Sequence, residues 1–301
     1  MSRRREDSMP ETRYRICPLC EATCGLELTV DHGVVTAVHG DDSDVFSHGF
    51  VCPKGAALTQ LHDDPDRLRT PLLRRDGELR AATWDEAFDE IEKRLPPLLA
   101  EHGTDALAVY LGNPNVHNLA LALYGQVLLR TIRTNNIYSA STVDQMPKQL
   151  AAGLMFGTFT SVAVPDIEGC DFLLVLGANP FDSNGSLWTV PDFPGRLRAL
   201  QKRGGTCIVV DPRRTRTAVA ADRHLFIRPG TDAHFLMGLV HTLFAEKLVQ
   251  LGRLAEHVNG VEQIEAAVRT FAPSVVAAVC GIEAGVIRDV AQQLARAQRG
   301  A

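Results

Sequence analysis

The chain has 301 residues, with 31 Lys or Arg and 36 Asp or Glu, so its formal net charge is −5. Hydrophobic residues make up 45% and charged residues 22%, a composition that argues against collagen-like, mainly disordered and membrane-spanning chains. The mild negative charge gives no electrostatic reason to expect nucleic-acid binding. Seven cysteines are too few for a disulfide scaffold, and four of them lie within the first 52 residues.

The two ends of the chain carry separate expectations. Residues 1–12 are polar and lack the apolar segment of a secretory or twin-arginine signal, so we expect a disordered leader and a cytoplasmic protein. No run reaches the roughly 18 apolar residues of a membrane span. Residues 283–298 have the apolar spacing of an amphipathic helix, and the chain then stops where another strand is expected. We therefore expect a fold that is incomplete at its C-terminus.

Strands and turns dominate the predictions for the N-terminal part. Apolar residues that alternate on both sides of Asp31-His32-Gly33 predict a β-hairpin over residues 26–38. Residues 63–80 contain two prolines and are expected to form a linker. Thr83 and Glu86 have the spacing of a capping box, which predicts that a helix begins at Trp84.

Short apolar strands alternate with helices in the rest of the chain. Strands are predicted within residues 106–112, 171–180, 206–212 and 224–232, and helices over residues 116–132, over residues 193–205 and from about residue 232. This alternation indicates an α/β fold with a doubly wound, mainly parallel sheet.

Four cysteines near the N-terminus have the spacing C-x2-C-x3-C-x27-C: Cys17, Cys20, Cys24 and Cys52. Three thiols within eight residues surround one inorganic centre only if the backbone wraps around it, which Pro18, Gly25 and Pro53 favour. Four thiolates suit a [4Fe–4S] cluster or zinc. The three-plus-one spacing favours the cluster, while zinc and free thiols stay open. The remaining cysteines are expected to be buried core residues: Cys170, Cys207 and Cys280.

The extended motif C-x2-C-x3-C-x27-C-P-K-G resembles the N-terminal [4Fe–4S] domain of the molybdopterin (bis-guanine-dinucleotide) oxidoreductases. This superfamily includes formate dehydrogenases, periplasmic-type nitrate reductases and relatives of dimethyl sulfoxide reductase. Further stretches agree in order, namely RLRTPLLRRDGELRAATWDEAFDEI, LVLGANPFDSN and VVDPRRTRTAVAADRHLFIRPGTDAHFL. The resemblance implies a [4Fe–4S] cluster on the four cysteines and a bis-MGD cofactor that carries Mo or W.

The resemblance also implies a domain organisation. After the leader, residues 13–68 would form a small β-rich [4Fe–4S] domain, and residues 69–301 an α/β molybdopterin oxidoreductase region. Within that region, residues 69–135 would form a first part and residues 136–301 the dinucleotide-binding part. Lys54 would lie between the cluster and a pterin and take part in electron relay. A cation beside an anionic cluster tunes its potential, and the alternative is a solvated surface lysine.

A guanine dinucleotide needs backbone amides or cations for its pyrophosphate, an acid for ribose hydroxyls and an acceptor for guanine. Loops beyond the carboxyl ends of parallel strands supply such groups. The candidates are Gly177, Asn179, Asp182, Ser183, Asp211, Arg213, Gly230 and Asp232. Among them, Asp211 would bind ribose, Arg213 phosphate, and Asp232 the N–H donors of guanine. The alternative for Asp232, or for Thr231, is a helix cap.

Asp144 occupies the position at which members of the superfamily commonly have a Cys or selenocysteine ligand to the metal. It follows Asn135-Asn136 and precedes Pro147, and Gln145 stands where formate dehydrogenases typically have histidine. A carboxylate is a harder ligand and a poorer electron donor than a thiolate, which weakens the formate-oxidising interpretation. We expect Asp144 to bind the metal, and the alternative is a metal that keeps an oxo or water ligand instead.

Two functions of different classes follow from the resemblance. The first is a molybdenum- or tungsten-dependent oxidoreductase that performs two-electron chemistry on a small-molecule substrate, formate or an oxyanion, and exchanges electrons with a redox partner protein through the cluster. The second is a truncated or non-catalytic iron–sulfur electron-transfer or cofactor-binding module of the same fold. Neither function involves nucleic acid or a membrane span.

Overall fold

A computed structural model of the chain describes residues 9–20, 22–112, 115, 118–161, 164–183 and 190–301. The chain forms two compact units, Met1–Ala163 and Val164–Ala301. The domain boundaries named above stay predictions. Residues 1–8 of the expected leader lie outside the described residues, and the first strand already begins at Glu11.

The described strands of the first unit are β1 (Glu11–Ile16), β2 (Gly25–Asp31), β3 (Val34–Gly40), β4 (Leu72–Arg75), β5 (Glu78–Ala81), β6 (Val109–Leu111) and β7 (Ile137–Ser139). An antiparallel sheet has the order β1-β2-β3, β4 pairs antiparallel with β5, and β6 pairs parallel with β7. The predicted hairpin over residues 26–38 is confirmed. Its turn residues His32 and Gly33 both have positive φ, as a tight two-residue turn requires.

The expectation of a plain linker over residues 63–80 is wrong, because β4 and β5 lie within it and form a second hairpin. Asp76 and Gly77 at its turn have φ of 53° and 86°. An Asp-Gly pair is a strong hairpin signal, and the two prolines obscured it. The capping box is confirmed, since Thr83 Oγ1 accepts from the Glu86 N–H and the Glu86 carboxylate accepts from the Thr83 N–H.

The described helices of the first unit are α1 (Pro53–Ala56), α2 (Leu58–Asp63), α3 (Trp84–His102), α4 (Leu119–Ile132), α5 (Ser141–Asp144) and α6 (Met146–Phe156). Helix α4 confirms most of the helix expected over residues 116–132; residues 116 and 117 lie outside the described residues. Asn118 caps α4, because its side chain accepts from the Leu121 N–H.

The second unit is built on three parallel strands, β8 (Phe172–Leu176), β9 (Thr206–Val210) and β10 (Arg223–Leu225), in the order β10-β9-β8. Its described helices are α7 (Pro180–Ser183), α8 (Phe193–Lys202), α9 (Arg216–Ala220), α10 (Asp232–Ala245), α11 (Val261–Val268), α12 (Pro273–Cys280) and α13 (Ala284–Arg296). After α13, the Ala301 N–H donates to the Phe172 carbonyl at 2.9 Å, so the last residues pair with β8.

Helices cover both faces of this parallel sheet. Ile208 and Val210 of β9 pack in a core with α10, α12 and α13, whereas Cys207 and Val209 pack in a second core with α8. Alternate residues of β9 thus point to opposite apolar layers, as a doubly wound sheet requires. The α/β fold class is confirmed. The three cysteines expected in the core are buried, with exposed fractions of 4%, 0% and 0% for Cys170, Cys207 and Cys280.

Candidate cofactor-binding sites

Three of the four N-terminal cysteines lie in the connection between β1 and β2. Cys17 directly follows β1 and Cys24 directly precedes β2, and the Cys17 N–H donates to the Cys24 carbonyl at 2.9 Å. Between them, the Thr23 N–H donates to the Cys20 carbonyl at 3.3 Å, and Thr23 has a φ of 47°. The antiparallel pairing of β1 and β2 therefore brings together both ends of the C-x2-C-x3-C segment.

The segment that carries the fourth cysteine is held against this loop. Ser47 is 3% exposed; its hydroxyl accepts from the Gly25 N–H at 3.1 Å and donates to the Asp44 carboxylate at 2.9 Å. Gly25 directly follows Cys24, so this contact ties the residues before Cys52 to the first three cysteines. Cys52 itself directly precedes α1.

Gly55 in α1 lies against the same loop. A Cβ added there would meet Val51 at 2.7 Å and the Cys17 Sγ at 3.7 Å. Glycine thus allows α1 to approach the loop closely, which places Cys52 at the edge of the three-cysteine segment. Cys17 and Cys24 are buried, whereas Cys20 and Cys52 are half-buried.

The four thiols share one electrostatic environment. Burial, followed by the neighbouring Cys17, Cys20 and Cys52, raises the pKa of Cys24 from 9.0 to about 11. Burial also raises the pKa of Cys17, as do Cys20 and Cys52, while a backbone hydrogen bond from Leu19 and the charge of Lys54 act in the opposite direction. The thiols of Cys17 and Cys24 are therefore protonated near neutral pH unless a cationic centre stabilises the thiolates.

A cluster would fit this donor set, because all four candidate ligands are soft sulfur atoms. In the described part of the chain, no three His, Cys, Asp or Glu side chains are grouped as metal ligands. The thiols are neighbours, and their side chains would have to turn toward a common centre to bind it. Lys54 is exposed on α1, and its charge reaches Cys17.

Asp144 is the last residue of α5 and is exposed. Among the described residues it belongs to no group of three or more potential metal ligands. The Asn135-Asn136 pair that precedes it is anchored to Asp105, whose carboxylate accepts from the Asn135 N–H at 2.7 Å. The Asn136 side chain donates to the Asp105 carbonyl at 2.7 Å. The Asn-Asn pair thus fixes the start of the segment that leads to Asp144.

All eight residues expected to contact a dinucleotide follow the carboxyl ends of the parallel strands. Gly177, Asn179, Asp182 and Ser183 follow β8, Asp211 and Arg213 follow β9, and Gly230 and Asp232 follow β10. Leu176 is opposite Val210, and Val210 is opposite Leu225, so the three strands end at one edge of the sheet. Gly177 has a φ of 60°, a conformation that favours glycine where the chain leaves β8.

The loop after β8 is organised by side-chain hydrogen bonds. The Asn179 side-chain oxygen accepts from the Thr217 hydroxyl at 2.7 Å, and its side-chain nitrogen contacts the Asp182 carboxylate. Arg216 forms an ion pair with Asp182 at 2.8 Å, and the Ser183 hydroxyl donates to the Asn179 carbonyl at 3.3 Å. The polar groups of Asn179 and Asp182 are therefore engaged within the chain.

Asp211 and Arg213 form the turn after β9. Asp211 is 7% exposed, and its carboxylate accepts from the Arg213 N–H at 2.7 Å. The Asp211 carbonyl lies 2.9 Å from His224 Nε2. The Arg213 side chain is exposed, so its guanidinium can reach a phosphate at this edge.

The helix α10 begins at Asp232, and Thr231 occupies the N-cap position. Thr231 makes no side-chain cap; its hydroxyl donates to the Arg228 carbonyl at 2.6 Å. Within the described residues no hydrogen bond or ion pair to the Asp232 carboxylate is observed. Asp232 is half-buried, and its two acceptor oxygens are suited to the two N–H donors of a guanine edge.

Sequence reasoning missed Arg216 and Thr217, which lie in α9 after β9. Their side chains bond to Asp182 and Asn179 and so hold the loop after β8. The signal available was their position, five and six residues after Asp211 at the same end of the sheet. A threonine there reads as an ordinary helix residue, since its partner Asn179 lies 38 positions away.

Comparison with known proteins gives two family models in chain order. The model described as molybdopterin oxidoreductase Fe4S4 domain matches residues 12–64, and the model described as molybdopterin oxidoreductase matches residues 67–271. The two matches indicate a [4Fe–4S] cluster and a molybdopterin cofactor.

Curated relatives are similar over most of this chain. F420-dependent formate dehydrogenase 1 subunit alpha of Methanococcus maripaludis is 27% identical over 93% of this chain and 40% of the relative. The assimilatory nitrate reductase catalytic subunit of Bacillus subtilis is 29% identical over 87% of this chain and 37% of the relative. The chain thus spans about two fifths of the length of these relatives.

A solved structure shares the fold. Acetylene hydratase from Pelobacter acetylenicus superimposes with a TM-score of 0.76 at 24% identity, over 96% of this chain and 39% of that protein. In the part of the chain that the structure describes, no helix combines the length and apolarity needed to cross a membrane.

Proposed function

Because the chain belongs to the molybdopterin oxidoreductase family, we propose that it forms the cluster-binding and dinucleotide-binding part of a molybdenum- or tungsten-dependent oxidoreductase. The observation that carries the proposal is the pair of family matches in order, together with four mutually interacting thiols inside the first match. Formate or an oxyanion is the proposed substrate class, in keeping with the formate dehydrogenase and nitrate reductase among the relatives.

In this proposal, Cys17, Cys20, Cys24 and Cys52 hold the [4Fe–4S] cluster. When bound, the metal–pterin centre supplies two-electron chemistry and the cluster supplies one-electron transfer to a partner protein. The Ser47–Gly25 contact keeps the Cys52 segment in reach of the other three ligands. Lys54 places a positive charge beside the cluster, which favours its reduced form.

One dinucleotide of the proposed bis-MGD cofactor lies along the carboxyl edge of β8, β9 and β10. Arg213 contacts the phosphates, Asp211 accepts from ribose hydroxyls, and Asp232 accepts from guanine. Gly177 and Gly230, both with positive φ, keep the backbone free of side chains at the points of approach. Asp144 is proposed as the protein ligand of the metal.

A cofactor-binding module without its own catalysis is the second candidate. It is favoured by Asp144, which is exposed and, in the described parts of the chain, belongs to no group of three or more potential metal ligands. Such a module would bind the cluster and one dinucleotide and would transfer electrons to or from a partner protein through the cluster. A cytoplasmic location is proposed for both candidates.

Iron, metal and pterin analysis of the anaerobically purified chain tests the proposal. Both candidates predict about four iron atoms per chain. The oxidoreductase should also contain molybdenum or tungsten and pterin, whereas the module should contain iron without molybdenum or tungsten. Zinc in place of iron would refute both. The variant Cys52→Ser should lose the iron, whereas the matched control Cys280→Ser, which changes a buried core thiol, should keep it.

A further inference from the structure

Thr217 links the loops that follow two neighbouring strands. It lies in α9, on the connection after β9, and is completely buried. Its hydroxyl donates to the Asn179 side-chain oxygen at 2.7 Å and accepts from the Phe181 N–H at 3.1 Å, and its own N–H donates to the same Asn179 oxygen at 3.3 Å. Three hydrogen bonds thus join α9 to the loop after β8.

The position of α9 is itself fixed by the turn after β9. The Asp211 carboxylate accepts from the Arg213 N–H, and the Thr215 N–H donates to the Arg213 carbonyl at 2.9 Å. Thr215 then caps α9 by accepting from the Ala218 N–H at 3.1 Å. Thr217 is therefore held in place from the side of β9.

We propose that Thr217 is a positioning residue for dinucleotide binding, because its buried hydroxyl sets the Asn179–Ser183 segment relative to Asp211 and Arg213. This inference rests on the proposed function. The amides of Asp182 and Ser183 both donate to the Asn179 carbonyl, at 3.0 and 3.1 Å, so the orientation of Asn179 determines the whole turn. Without the hydroxyl, the Asn179 oxygen keeps only the longer hydrogen bond from the Thr217 N–H, and the Phe181 N–H loses its acceptor.

The test compares Thr217→Val, which keeps the shape and removes the hydroxyl, with Thr217→Ser, which keeps the hydroxyl. Thr242→Val is the matched control, because Thr242 is 2% exposed in the same unit and its hydroxyl donates to the Gly238 carbonyl at 2.9 Å within α10. Hydrogen exchange of the Phe181–Ser183 amides and the dissociation constant for GDP are measured on each 301-residue chain. GDP carries the guanine and diphosphate of the proposed dinucleotide.

We expect Thr217→Val to accelerate exchange at these amides and to weaken GDP binding, each roughly tenfold, as loss of a buried hydrogen bond implies. Thr217→Ser and Thr242→Val should leave both quantities within about twofold of the wild type. The inference is overturned if the Phe181–Ser183 amides exchange at the same rate in Thr217→Val as in Thr242→Val. It is also overturned if Thr242→Val weakens GDP binding as much as Thr217→Val does. A wild-type chain that binds no GDP would refute the proposed dinucleotide site, while the exchange rates would still decide whether Thr217 holds the loop.

Discussion

The thiol of Cys24 should be slow to react in the cluster-free chain. Burial and three neighbouring thiols raise its pKa from 9.0 to about 11. At pH 8, a thiol of pKa 9.0 is about one tenth ionised, whereas a thiol of pKa about 11 is about one thousandth ionised. Because the thiolate is the nucleophile, ionisation alone should slow alkylation of Cys24 about 100-fold.

The assay is iodoacetamide alkylation of the cluster-free chain under anaerobic conditions, followed by mass spectrometry of each cysteine peptide between pH 7 and pH 11. The rate at Cys24 should rise about tenfold per pH unit up to about pH 10 and less steeply above it, as the pH approaches the pKa of about 11. The same chain unfolded in urea gives the alkylation rate of Cys24 without the effect of burial. Cys207 serves as an internal reference for a core thiol, because burial, followed by Asp222 and Cys170, raises its pKa to about 12.

The same shift has a consequence for stability. A thiol whose pKa is higher in the folded state than in the unfolded chain keeps its proton longer when folded. The contribution of Cys24 to the stability of the cluster-free chain is therefore present below its unfolded pKa of 9.0 and is lost as the pH rises toward about 11. A Cys24 alkylation profile with its midpoint near 9, equal to that in urea, would refute the reasoning that burial and the neighbouring thiols raise the pKa of Cys24.

Three further predictions concern single side chains of the first unit. Lys54→Gln should leave the iron content unchanged and shift the reduction potential of the reconstituted cluster to a more negative value, since a nearby positive charge is lost. An EPR-monitored redox titration measures the reduction potential, and an unchanged value contradicts the prediction. Asp105→Ala should accelerate hydrogen exchange of the Asn135 amide roughly tenfold, because that N–H loses its carboxylate acceptor. The same hydrogen bond lowers the pKa of Asp105, so in the wild type the protection of the Asn135 amide should persist to a pH below 3.8. Asp144→Ala should change the free energy of unfolding by less than about 0.5 kcal/mol, since Asp144 is exposed, yet should alter the Mo(V) EPR signal of the metal-loaded protein; an unaltered signal excludes Asp144 as a ligand.

Much of the fold could be predicted because its signals are local. The apolar runs of β8 and β9, Gly177 after β8 and Asp211 after β9 need no information from the rest of the chain. The hairpin of β4 and β5 was missed although Asp76-Gly77 is a local signal, because nearby prolines favoured a linker. Both prolines lie outside the strands, so they do not prevent the Asp-Gly turn from joining β4 to β5.

The candidate sites were less accessible to prediction, for a physical reason. Residue types and spacing identify groups that could bind, but they do not say which groups are already engaged with one another. Asn179 was expected as a cofactor contact, yet both ends of its amide are bonded within the chain, to Thr217 and to Asp182. These contacts join residues 38 positions apart or depend on the shape of one turn, and neither appears as a sequence period.

This difference divides the proposed dinucleotide site into two kinds of residue. Asn179, Asp182 and Asp211 use their polar groups to shape the loops, whereas the side chains of Arg213 and Asp232, within the described residues, make no hydrogen bond or ion pair. A group that is free in the ligand-free chain can bind a ligand without first breaking an internal bond, so its interaction adds directly to affinity. Recognition of phosphate and guanine should therefore depend mainly on Arg213 and Asp232, whereas Asn179 and Asp182 should act through the shape of the loop after β8.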